Sequence, residues 1–171
     1  HSDLLLGSVS VRDEEAYNIV GPIYMQLGLA VSPDDCSLAL RGLQTLALRL
    51  DQLEKSTLKI ALWLSENNII HEVYHPAFKS CPGHDIWKRD FTGSASVFSF
   101  TFVDNVSSKQ VETFINALHI FKIGLSWGGV TSLAVVYPDL VRPNKDFGGR
   151  LVRLNIGLEA VDDLINDLEL A

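Results

Sequence analysis

Arg150-Leu151-Val152-Arg153-Leu154-Asn155-Ile156 is the segment from which the fold follows. Side chains alternate across a strand, so Val152, Leu154 and Ile156 face one side and Leu151, Arg153 and Asn155 the other. One face is apolar and the other is interrupted by an arginine. That pattern belongs to a sheet with helices on a single face. Upstream, Gly124-Leu125-Ser126-Trp127-Gly128-Gly129 reads as a loop between an amphipathic helix and an apolar strand. With Arg153 it forms a clamp suited to a small carboxylate. A guanidinium fork binds a carboxylate bidentately, while hydroxyls and backbone N–H groups complete the shell.

Working outward, residues 132–137 read as a strand ended by Pro138, and Val97, Phe98, Phe100, Phe102 and Val103 as another. Residues 69–74 form a further strand, closed by His75-Pro76. Ser107 and Ser108 precede a helix whose face carries Val111, Phe114, Ile115 and Leu118. A last helix over residues 159–170 buries Val161, Leu164, Ile165 and Leu168. Residues 77–93 read as a surface segment with a short helix over 85–88, and 142–149 as a loop. Before these elements, residues 44–65 predict one long helix with Leu46, Leu50, Leu53, Leu58, Ala61, Leu62 and Leu64 as its apolar positions. The fold class is therefore α+β: a four-stranded, mainly antiparallel sheet with helices on one face, preceded by a long bridging helix.

Nearer the start, residues 12–28 are helical in composition, with Gly21-Pro22 expected to divide or kink the helix. Ser32-Pro33-Asp34-Asp35 is a helix start, with a capping hydroxyl, proline at the first position and acids in the first turn. A break or bend is expected at Gly42, with Arg41 in a structural role beside it. Leu4-Leu5-Leu6-Gly7-Ser8-Val9-Ser10-Val11 reads as a strand buried on both faces, which needs neighbours on both sides. The expectation is that the chain is the C-terminal piece of something larger.

Composition narrows the classes of function. Of 171 residues, 47% are apolar and 20% charged, which describes a globular protein rather than a disordered one. A net charge of −7 argues against nucleic acid, whose affinity rests on neutralising phosphates. No apolar run reaches the length of a membrane span. Cys36 and Cys81 lie far apart without metal or redox spacing, which predicts reduced thiols and a cytoplasmic location. His71 and His75 fall in a strand, where four residues' separation holds them apart, so no metal site is expected. Neither a nucleophile elbow nor a phosphate-cradling glycine loop is present.

An ordered set of stretches resembles the C-terminal part of the Cys/Met-metabolism family of pyridoxal-phosphate enzymes, a fold-type I family. The set comprises His1-Ser2-Asp3, Ser32-Pro33-Asp34-Asp35, Leu40-Arg41-Gly42-Leu43-Gln44-Thr45-Leu46, and His75-Pro76. Further on come Trp87-Lys88-Arg89-Asp90-Phe91-Thr92-Gly93, Ser126-Trp127-Gly128-Gly129 and Leu151-Val152-Arg153-Leu154-Asn155-Ile156-Gly157-Leu158-Glu159. Residues 87–93 and the tryptophan after Ser126 look like the β-lyase branch. The γ-lyase and γ-synthase branches usually carry Leu-Gly-Gly after that serine.

The resemblance implies that residues 1–40 are the end of the large cofactor-binding domain and residues 41–171 the small domain with its bridging helix. It implies that Arg153 binds the α-carboxylate of an amino-acid substrate, with Ser126 and Trp127 beside it. It also implies pyridoxal 5'-phosphate as cofactor of the full-length enzyme, a tetrameric homo-oligomer, and cleavage of L-cystathionine to homocysteine, pyruvate and ammonia. In the family, the Schiff-base lysine stands five positions before the histidine that aligns with His1. None of Lys55, Lys59, Lys79, Lys88, Lys109, Lys122 or Lys145 has that lysine's context. The chain alone is therefore expected to be inactive until joined to an N-terminal portion, and not to hold the cofactor covalently. Val130 and Thr131 stand where β-lyases tend to have another residue and a glutamate, and Leu125 replaces a commonly polar or aromatic neighbour. These differences bear on substrate preference. The competing expectations are a relative of the γ-lyases and γ-synthases, and a non-catalytic module that binds amino acids or a partner.

Overall fold

The computed structural model describes residues 1–142 and 145–171, in two compact units. One comprises residues 3–46 with His1, the other residues 47–171 with Ser2.

The first unit holds two helices. α1 (Glu14–Gln26) is capped by Asp13, whose carboxylate accepts from the Ala16 amide at 2.9 Å. It runs without interruption through Pro22, so Gly21-Pro22 does not divide it. The missing N–H leaves the Asn18 carbonyl unpaired, and Asn18 is exposed, so water can satisfy it. α2 (Pro33–Leu43) starts as its sequence predicts: the Ser32 hydroxyl accepts from the Asp35 amide at 3.0 Å, with Pro33 at the first position. The helix passes through Gly42 and ends at Leu43, one residue beyond the expected break. Residues 1–11 form no strand, and Leu5 is 98% exposed. A strand exists only by pairing its backbone groups, and this unit contains no second strand to pair with.

The second unit begins within α3 (Leu46–Ser65), at Ala47. Leu53, Thr57, Ile60, Ala61 and Leu64 form its buried stripe. The 3.6-residue repeat sends Leu62 to the opposite side, where it is half exposed, contrary to its expected apolar role. Then follow β1 (Ile70–Tyr74), α4 (His84–Asp90), β2 (Val97–Phe102) and α5 (Ser108–Ala117). A capping box between Ser107 and Gln110 starts α5. β3 (Lys122–Ile123), β4 (Leu133–Val136), β5 (Val141–Arg142), β6 (Lys145–Asp146), β7 (Leu151–Asn155) and α6 (Val161–Leu170) complete it.

The sheet order is β1-β2-β7-β4-β3. The first three pairings are antiparallel, and β3 joins β4 in parallel. Five strands replace the four expected. The extra one is two residues long, too short to carry an alternation, and is held by Lys122 N–H to Ser132 O at 3.0 Å. Within the expected 142–149 loop, β5 and β6 pair antiparallel; Pro143 and Asn144 lie outside the described residues.

Register places Val73, Phe98, Phe100, Ala134, Val152 and Leu154 on one face. All are buried, in one cluster with Ile60 and Leu64 of α3, Val111 and Ile115 of α5, and Leu164 and Leu168 of α6. Burial of this apolar surface, at about 25 cal/mol per Å², is the main stabilising term. The opposite face carries Tyr74, Ser99, Val135, Arg153 and Asn155. Helices on one face and chemistry on the other follow directly from the alternation in β7.

Candidate functional site

Arg153 sits in the central strand β7, between Ser99 of β2 and Val135 of β4. Its side chain reaches the loop of residues 124–131. Nη2 donates to the carbonyl of Leu125 at 2.6 Å and to that of Ser126 at 3.3 Å. The guanidinium carbon lies 5.9 Å from the Tyr137 ring centroid, within cation–π range. Nε is buried and has no hydrogen-bond partner. Leaving such a donor unmade costs about 1–3 kcal/mol.

The arginine and its loop are thus brought together, through the backbone of Leu125 and Ser126. The Ser126 side chain is exposed, and the Trp127 indole is 66% exposed. Gly128 has φ +74°, a conformation that favours glycine.

Several residues that sequence reasoning did not assign hold this loop. Asn155, 1% exposed, accepts at Oδ1 from Gly128 N–H at 2.8 Å and from the Ser96 hydroxyl at 3.0 Å. Its Nδ2 donates to Thr131 O at 3.1 Å. Glu159 accepts from both the amide and the hydroxyl of Ser132, each at 2.8 Å. That engagement also explains why α6 begins at Val161 rather than at residue 159. The Ser132 hydroxyl in turn accepts from Gly157 N–H at 2.8 Å, and Leu158 N–H donates to Val130 O at 2.8 Å. A signal for Asn155 was present: asparagine is disfavoured in strands, and alternation had set it on the face of Arg153.

On the same sheet face, Tyr74 donates to Glu72 at 2.5 Å, and Lys145 donates to Glu72 at 2.9 Å and to the Tyr74 hydroxyl. Burial alone would raise the Glu72 carboxyl, but the Tyr74 and Lys145 hydrogen bonds outweigh it and hold it below the ordinary value. Hydrogen bonds to Tyr74 and Glu72 push Lys145 up. Burial and Glu72 push Tyr74 up. Each group is fixed in its ordinary charge state, which describes a structural ion pair rather than an activated amine. His71 is exposed and His75 buried, so the two do not converge. No group of three or more His, Cys, Asp or Glu suited to a metal occurs among the described residues. Among those residues, no helix is long and apolar enough to cross a membrane. Both cysteines are free thiols.

The profile of the Cys/Met metabolism PLP-dependent enzymes matches residues 1–171, so the chain belongs to that family. Cystathionine β-lyase of Haemophilus influenzae is 38% identical over 99% of the chain and 44% of its own length. The L-alanine/L-glutamate racemase of Wolbachia pipientis is 34% identical over 100% of the chain and 43% of its own length. Among solved structures, cystathionine γ-synthase from Xanthomonas oryzae, in complex with aminoacrylate and cysteine, superposes with a TM-score of 0.81 at 30% identity. That superposition covers 93% of this chain and 43% of the synthase. The fold is that of the fold-type I pyridoxal-phosphate enzymes. The chain spans less than half the length of the relatives it matches.

Pyridoxal phosphate is the family's cofactor, and five of the chain's seven lysines are already engaged by other groups. Lys55, Lys59 and Lys109 are paired with Asp51, Asp162 and Glu112, Lys122 is bonded to His119 O, and Lys145 to Glu72 and Tyr74. What the described residues bring together is an arginine and a loop tied by backbone and side-chain hydrogen bonds.

Proposed function

We propose that this chain is the substrate-carboxylate portion of a pyridoxal-phosphate-dependent carbon–sulfur lyase of cystathionine β-lyase type. The reaction of the whole enzyme would convert L-cystathionine and water to homocysteine, pyruvate and ammonia, with the Schiff-base lysine supplied by polypeptide outside these residues. The observation that carries this reading is the Arg153 guanidinium on the open sheet face, with a buried, unpartnered Nε and the Ser126–Trp127 loop against Nη2. Similarity to cystathionine β-lyases along the whole chain supports the reaction class.

In this reading Arg153 binds the α-carboxylate, and the loop backbone limits where the carboxylate sits. Fixing that group fixes the direction of the Cα–H bond, a positioning effect that can contribute several kcal/mol. Ser126 and Trp127 border the substrate. Residues 1–40 complete a cofactor-binding domain, the assembly is a homo-tetramer, and the location is cytoplasmic.

The test is to join the chain, in cis or as a second polypeptide, to an N-terminal portion bearing the lysine. The expected result is the absorbance of bound cofactor together with pyruvate release from cystathionine. A folded assembly with neither would end the proposal.

The racemase similarity favours one second reading, in which the same carboxylate grip serves proton exchange at Cα of a small amino acid. D-alanine formed from L-alanine, without pyruvate from cystathionine, would select it.

A further inference from the structure

Arg153 and Asn155 share one face of β7 and hold different halves of the same loop. Arg153 donates to the carbonyls of residues 125 and 126, through the nitrogen that bidentate carboxylate binding also needs. Asn155 grips residues 128 and 131 through a buried amide. Its orientation is unambiguous, since Gly128 N–H can only donate and Thr131 O can only accept. Ser96 fixes it further by donating to Oδ1, and Ser96 is itself in the sheet ladder through Ile156 N–H to Ser96 O at 2.9 Å. An apolar residue at 155 would serve the sheet equally well, but would leave the Gly128 amide and the Thr131 carbonyl without these partners.

We propose that Asn155, locked by Ser96, is the positioning residue of the Ser126–Trp127 loop, holding it in place so that Arg153 is free to turn from the loop carbonyls to an amino-acid carboxylate. This rests on the reading of Arg153 as the carboxylate ligand. Without Asn155, carboxylate binding would remove the hydrogen bonds that hold residues 125 and 126, and each binding event would carry the cost of loop disorder. The role is one of affinity, exerted through Arg153 and the loop, with no contact to reacting atoms.

Amide hydrogen exchange on the 171-residue chain tests the positioning directly. Asn155→Ala should speed exchange at Gly128 by about tenfold relative to Val152 and Leu154, as expected for loss of one part-buried hydrogen bond. Asn155→Asp, which keeps the acceptor, should restore Gly128 protection. Should Asn155→Ala fail to fold, Ser96→Ala should still raise Gly128 exchange selectively. In the assembled enzyme, Asn155→Ala should raise KM for the amino acid about tenfold and leave kcat nearly unchanged. Exchange at Gly128 that follows the strand amides in every variant overturns the proposal, as does loss of kcat at constant KM. If Arg153→Lys leaves KM unchanged, the carboxylate reading fails, whereas selective exchange at Gly128 would still establish that Asn155 sets the loop.

Discussion

Arg153 Nη2 lies 2.6 Å from the carbonyl oxygen of Leu125, so the guanidinium is held by loop backbone before any ligand arrives. That contact engages Nη2 alone. Lysine cannot reproduce a planar fork. Arg153→Lys should therefore weaken amino-acid binding about 10- to 100-fold, the range for losing a charged hydrogen bond. Steady-state KM in the assembled enzyme, or calorimetry with a substrate amino acid, reads the effect.

Gly157 should tolerate no side chain. A Cβ there would meet Ser132 N at 2.6 Å and also collide with Val130 O and the Glu159 carboxylate. Two of those three atoms are backbone and cannot swing away. Gly157→Ala is expected to cost about 1–3 kcal/mol by overpacking, measured as a lower urea midpoint with unchanged slope.

Asp167 accepts from the amides of His119, Ile120 and Phe121 at 2.8, 2.8 and 3.1 Å. This carboxylate ties α6 to the turn that leads into β3. Asp167→Ala would strand those donors and should destabilise the second unit by about 2–4 kcal/mol, while Asp167→Asn, which keeps one acceptor, should cost less. Thermal melts of the three proteins rank them.

His75 supplies a pH prediction. It is buried against Phe78 and Phe98, and its Nδ1 accepts from the Ala77 amide at 3.2 Å. Burial pushes the imidazole below its ordinary value, with Glu54 opposing in part. The unfolded chain therefore takes up a proton at higher pH than the folded one. The stability this group contributes is present above the unfolded value of about 6.5, and falls as pH drops from there toward the folded value. His75→Asn keeps the acceptor for Ala77 without titrating. Melting temperatures at pH 7.5 and 5.5 should converge more in His75→Asn than in the parent. Equal slopes in the two proteins would refute the assignment.

Much of this architecture was legible in the sequence. The alternation in β7 announced which residues face the helices, and Ser32-Pro33 and Ser107 announced their helices. Those features are local, and local rules read them. β3 was missed because two residues carry no period. The expected strand at residues 4–11 failed because an apolar run forms a strand only when partners are supplied. Alternation set Arg153 on the face away from the helices, and the structure brings it against the loop of residues 124–131. Sequence could flag Asn155 as unusual in a strand, but not what it or Glu159 binds, since those backbone groups lie 24 to 27 residues away and are brought near only by folding.

The sheet keeps its two faces chemically independent. Substitutions on the Arg153 face leave the Phe98–Phe100–Leu154 packing untouched, so they draw little on the stability reserve of the fold. Exposed positions beside Arg153 can therefore be exchanged while the core that keeps the chain folded is left as it is. Change on that face is then limited by the contacts of one loop rather than by the tolerance of the core.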